Sequence, residues 1–115
     1  MSNFTSFQHC WASLQATVHA GMTIAPWSAK GGSKTLVKIV GVEAGSIAVE
    51  AGNGATRMVS RTDFERIFEV WAQYKVGERS RKNLQGITFN SVYVISVLHW
   101  LEAQPSPDVQ KQFPA

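Results

Sequence analysis

The chain has 115 residues, 44% hydrophobic and 17% charged, with a formal net charge of +3 at pH 7 and a single cysteine, Cys10. That length suits one domain with its own core, and low charge (the norm is about 25%) with ordinary hydrophobicity argues against a disordered chain. One thiol excludes an intrachain disulfide and a four-cysteine zinc centre, and a charge of +3 is by itself too weak to name a nucleic-acid partner.

The first 29 residues contain no Asp, Glu, Lys or Arg. Within them, residues 4 to 20 predict a helix: Phe7, Trp11, Leu14 and Val18 recur at i, i+4, i+7 and i+11 and form one apolar stripe. Gly21 is expected to end it as a left-handed cap. The opposite side carries Thr5, His9, Ala12, Ser13 and Ala16, small and neutral enough for another backbone to approach closely. Residues 22 to 27 read as a short edge strand, because Pro26 cannot donate to a ladder. Residues 28 to 34 are a Gly/Ser/Lys connection. Residues 35 to 42 are rich in β-branched side chains and predict a strand, Ile47 and Val49 alternate in the next, and residues 55 to 60 return after the hairpin signal Gly52-Asn53-Gly54.

A capping box over Thr62-Asp63-Phe64-Glu65 predicts the start of a second helix, with Phe64, Ile67, Phe68, Trp71 and Tyr74 as its apolar stripe and Gly77 as its end. Residues 78 to 90 read as a polar connection with room for a helical turn ending near Gly86. A last helix follows Asn90-Ser91 and runs to about Ala103. Between Val92 and Leu101 only Ser96 and His99 are polar, so this helix should be the most buried, a buried strand over Val92–Val97 being the competing reading. Pro105 and Pro107 open a loose tail. The expected fold is α+β, in the order α-β-β-β-α-α with an optional first strand: a three- to four-stranded antiparallel meander packed by an N-terminal helix and two C-terminal helices. It forms one domain over residues 1–104 with a tail over 105–115. The sheet's second face is expected to be partly covered too, with Lys38, Glu50 and Arg57 marking what stays wet.

Several residue groups invite chemistry. The stretch Ala29-Lys30-Gly31-Gly32-Ser33-Lys34-Thr35 has the flavour of a phosphate-binding loop, but the Lys-Ser order is inverted, the first glycine is missing and a strand follows. His9 and His19 lie ten residues apart, about 15 Å along a helix, and cannot share one metal ion. Glu65 and Glu69 share a helical face, most simply as a solvated one. Residues 75 to 82 hold Lys75, Arg79, Arg81 and Lys82 against one acid, Glu78, and Lys30, Lys34 and Lys38 form a second acid-free stretch. With Tyr74, Phe89 and Tyr93 nearby, these cations could neutralise phosphates while rings stack on bases. Trp27, Trp71 and Trp100 could line an apolar ligand pocket or simply pack a core.

No spacing demands a catalytic pair, a cofactor or a metal ion. The first expectation is a binding or assembly module that self-associates as a symmetric dimer through the neutral face Thr5, Ala12, Ser13 and Ala16. The second is a nucleic-acid accessory protein using Lys30, Lys34, Lys75, Arg79, Arg81 and Lys82. The third is a small apolar-ligand binder lined by the tryptophans. Neither a secretory signal nor an apolar run of about 18 residues is visible, so the expected setting is cytoplasmic, without a membrane partner. In general type the chain resembles the small, single-domain orphan proteins carried on bacterial mobile elements such as integron gene cassettes; the likeness covers no particular segment and transfers no functional residue.

Overall fold

The computed structural model describes residues 6–29, 31, 36–50 and 54–104. The elements run α1 (Phe7–Thr17), β1 (Thr23–Ile24), β2 (Val37–Glu43), β3 (Ser46–Glu50), β4 (Thr56–Ser60), α2 (Arg61–Lys75), α3 (Arg81–Ile87) and α4 (Ser91–Glu102). The strands form one antiparallel sheet in the order β1-β2-β3-β4, each strand paired with its neighbour in sequence. The α+β meander expected from the sequence is therefore present, with the optional first strand and one extra short helix. Phe4 and Thr5, Lys30, Lys34, the Asn53 turn and the tail over 105–115 lie outside the described residues.

Among the described residues the buried side chains join into one hydrophobic cluster drawn from every strand and every helix. Val37, Ile39, Ile47, Val49 and Val59 supply its sheet side. The register slips between Ile39 and Gly41, so Val40 is the extra residue of a β-bulge. The slip reverses the alternation: Val42, not Gly41, stands opposite Ile47 and packs on the core. The expected cover on the second sheet face is not seen among the described residues. There Val40 and Met58 are 40% and 51% exposed, and Lys38 is exposed while pairing with Glu50 at 3.3 Å. Arg57 does not mark that face: it stands opposite Val49 and so points to the helix side, emerging at the edge strand β4.

Helix starts differ from the expectation in a way the hydrogen bonds explain. The α1 helix is capped by Ser6 and stops at Val18, so Gly21 is not its cap; Gly21 instead donates its N–H to the Ile39 carbonyl and leads into β1 pairing. The α2 box is formed by Ser60 and Asp63, two residues before the predicted one, each side chain accepting from the other's backbone N–H. Asp63 wins because its carboxylate also accepts from Thr88 Oγ1 at 2.9 Å and Asn90 Nδ2 at 3.0 Å, tying the α3–α4 connection to the start of α2. Burial pushes this carboxyl up, but the bonds from Asn90, Thr88 and Ser60 outweigh it and leave its pKa below the usual value.

At its other end α2 closes in a Schellman motif. The Gly77 N–H bonds to the Tyr74 carbonyl, the Glu78 N–H to the Gln73 carbonyl, and Gly77 takes a φ of 85°. The α4 helix, apolar nearly all round, runs through the core with Tyr93 to Leu98 and Leu101 buried. Its polar exceptions have a partner: Ser96 Oγ accepts the Trp27 N–H at 3.1 Å, and the His99 ring stacks on the Trp27 ring, centroids 4.2 Å apart. No helix among the described residues is long and apolar enough to cross a membrane.

Candidate functional site

The Trp27 segment and the end of α2 are brought together by ring packing. Trp27 meets Trp71 edge-on at 5.6 Å and Tyr74 at 6.0 Å. Beyond Trp27 the chain turns: Ser28 Oγ donates to the Gly31 carbonyl and the Gly31 N–H donates to the Ser28 carbonyl. The turn is pinned to α2 by the Ala29 N–H, which donates to Tyr74 Oη at 3.1 Å. Two segments more than forty residues apart in sequence thereby face each other.

Between them lies a cavity of about 530 Å³, lined by Ser28, Ala29 and Gly31 on one side and residues 74–77 and 79–82 on the other. Its described lining includes four cations, Lys75, Arg79, Arg81 and Lys82, and no carboxylate. Lys75 is neutralised internally: its Nζ lies 2.8 Å from Glu102 Oε1, with both side chains largely buried. Arg79 bonds to the neutral Gln73 amide. The Arg81 Nε is buried with no acceptor among the described residues. A buried donor left unmet costs about 1–3 kcal/mol, which an acceptor arriving in the cavity would offset. Lys82 is exposed. The walls also carry two left-handed glycines, Gly31 (φ 78°) and Gly77 (φ 85°), where backbone is bare and a side chain would be strained.

The candidates read from the sequence are therefore partly united. Lys75, Arg79, Arg81 and Lys82 share one cavity, with Ser28, Ala29 and Gly31 as its opposite wall; Lys30 and Lys34 lie outside the described residues. Lys38 is elsewhere, on the open sheet face with Glu50. Tyr74 and Tyr93 are buried, so the flanking ring free to stack is Phe89, 92% exposed. Trp27 and Trp71 do converge, but they fill the space between them with Tyr74 and His99 rather than lining a void. Trp100 is half-buried against the core, and the ring contacts among the described residues do not include it. The neutral face of α1 is outward: Ala12 and Ala16 are exposed and Ser13 is half-buried, while Phe7, Cys10, Trp11 and Leu14 are buried.

Among the described residues, the titratable groups outside residues 74–82 lie apart from this cavity. Burial, reinforced by the charge of Glu102, pushes the Cys10 thiol up to about 12, so it stays protonated at neutral pH. Burial also lowers the pKa of His99, Lys75 acting in the same sense and Glu102 against it. Glu65 and Glu69 are exposed, and no three metal-ligating side chains cluster among the described residues. Sequence reasoning missed the 28–31 wall, the Tyr74 hydroxyl that anchors it, and Val76 beside Gly77. Gly77 was the one signal in reach, since a glycine ending a helix implies a backbone bend there. Comparison of the chain with protein-family models, with curated proteins and with solved structures finds no match.

Proposed function

We propose that this protein is a binding module that takes a phosphate-bearing anion in the basic cavity, a nucleic-acid strand being the polymeric form of that ligand. The observation that carries the reading is the shared cavity: Ser28, Ala29 and Gly31 and the basic loop line it together, with four cations and no carboxylate among the described lining residues. A low-dielectric wall lined by one sign of charge concentrates counter-ions of the other. The reading is a cytoplasmic one, in which the buried thiol Cys10 stays reduced. Binding to a phosphate-bearing probe, such as a single-stranded oligonucleotide or inorganic pyrophosphate, should weaken several-fold to orders of magnitude between about 50 and 200 mM salt, more for the longer anion. Calorimetric titration at both salts checks this; no binding of either probe at low salt removes the proposal.

A second reading, self-association through α1, is favoured by the exposure of Ala12 and Ala16 on a helix with no charged side chain. Two such helices can approach closely across a two-fold axis. Ala12→Arg or Ala16→Glu is expected to convert a dimer to a monomer in light scattering at micromolar concentration, with the circular dichroism spectrum unchanged. A monomeric parent protein at that concentration would end this reading and leave the first untouched.

A further inference from the structure

Resting on the anion-binding reading, we infer that the cavity's ligand is a small organic diphosphate, such as a nucleoside diphosphate, rather than a nucleic-acid strand. Charge is the first reason. Of the four cations among the described lining residues, Lys75 is taken up by Glu102, which leaves Arg79, Arg81 and Lys82; Glu78 is on the same loop but exposed and outside the lining. A phosphomonoester carries about −1.5 to −2 at neutral pH and a diphosphate ester about one charge more, so a wall that holds at least these three cations favours the diphosphate over the monoester. Arg81, whose Nε is buried without an acceptor among the described residues, supplies the planar fork that pairs with phosphate oxygens two at a time.

Size is the second reason. At about 530 Å³ the cavity sits within the range of about 300–1,000 Å³ usual for small-molecule sites and has room for more than the phosphates. Val76, 72% exposed on its rim, offers apolar contact to an organic body, and the bare backbone at Gly31 and Gly77 lets the ligand come close on both sides. The third reason concerns stacking. Strand binders seat successive bases on exposed rings beside the charged groove. Tyr74 and Tyr93 are buried, and exposed Phe89 is separated from the cavity by the length of α3, about 10 Å at the usual rise per residue.

The test is calorimetric titration of the whole protein, free of metal ions and at constant ionic strength, with four probes: inorganic pyrophosphate, ADP, AMP and a single-stranded dodecanucleotide. Pyrophosphate and ADP are expected to bind about tenfold or more tightly than AMP, and Arg81→Ala to weaken both about tenfold. Arg81→Lys should recover only part of the loss, because it restores charge without the fork. If Arg81→Ala fails the circular dichroism check of folding, Lys82→Glu at an exposed position reverses a lining charge and should weaken ADP at least as much. AMP binding as tightly as ADP overturns the inference. So does a dodecanucleotide that binds more tightly than ADP, although the anion-binding reading then stands. Failure of all four probes overturns both.

Discussion

Glu102→Ala is expected to destabilise the protein by about 3 kcal/mol, near the lower end for breaking a buried ion pair. Glu102 Oε1 accepts two hydrogen bonds, from Lys75 Nζ at 2.8 Å and from Trp71 Nε1 at 2.9 Å. Its removal leaves an ammonium that is 19% exposed, poised over the Trp71 ring at 5.3 Å, and an indole N–H without an acceptor in a residue 2% exposed. The remaining exposure of Lys75 lets its head swing toward water, which is why the cost sits at the low end of the range. Glu102→Gln keeps an acceptor for the indole and should cost about half as much. Urea denaturation measures both; a loss below about 1 kcal/mol for the alanine variant would mean that the pair behaves as a surface one. The same substitution frees the charge of Lys75 at the cavity wall, so pyrophosphate should bind the folded variant more tightly than the parent.

Trp71→Ala should cost more, about 3–5 kcal/mol, the usual range for removing a large ring from a core. The ring touches Trp27 at 5.6 Å and Tyr74 at 6.0 Å and is capped by Lys75. Trp71→Phe retains most of this packing and loses the bond to Glu102, an effect of about 1 kcal/mol. Because Trp71 and Glu102 share that bond, Trp71→Phe combined with Glu102→Ala, which removes the acceptor, should lose less than the sum of the two, by about 0.5 kcal/mol or more. Additive losses would show that the indole–carboxylate bond contributes nothing. The consequence reaches the cavity through Tyr74: its hydroxyl holds the Ala29 N–H, and without Trp71 behind it the 28–31 wall loses its support. Titration of folded Trp71→Ala with pyrophosphate should therefore show weaker binding, although no lining cation has changed.

Local patterns made much of the fold legible. The i, i+4, i+7 recurrence of Phe7, Trp11 and Leu14 marked the buried stripe of α1, and Ile47 and Val49 marked the core face of β3. Gly77 marked the end of α2 correctly because a left-handed cap is a local requirement. The errors fell where a distant group settled a local choice. Ser60 and Asp63 took the cap from Thr62 and Glu65 because Thr88 and Asn90 bond to Asp63. Gly21 was drawn into sheet pairing by the Ile39 carbonyl. The bulge at Val40 has no signal in β-propensity, yet it decides that Val42 faces the core.

The same division holds for the site. Clustered cations in residues 75 to 82 and the charge-free first 29 residues are properties of the chain itself, visible without a structure. Net charge density, helix periodicity and glycine conformation depend on near neighbours, so sequence determines them. Which of those cations keeps a free charge is a tertiary matter. Glu102, at the end of α4, neutralises Lys75, while Arg81 Nε is left without an acceptor among the described residues. The cavity itself exists only because Trp27 stacks on His99 and Tyr74 bonds to Ala29, bringing remote segments face to face. Such contacts depend on how whole elements pack, and packing is decided by the shape and polarity of all the surfaces at once, which no local stretch of sequence contains.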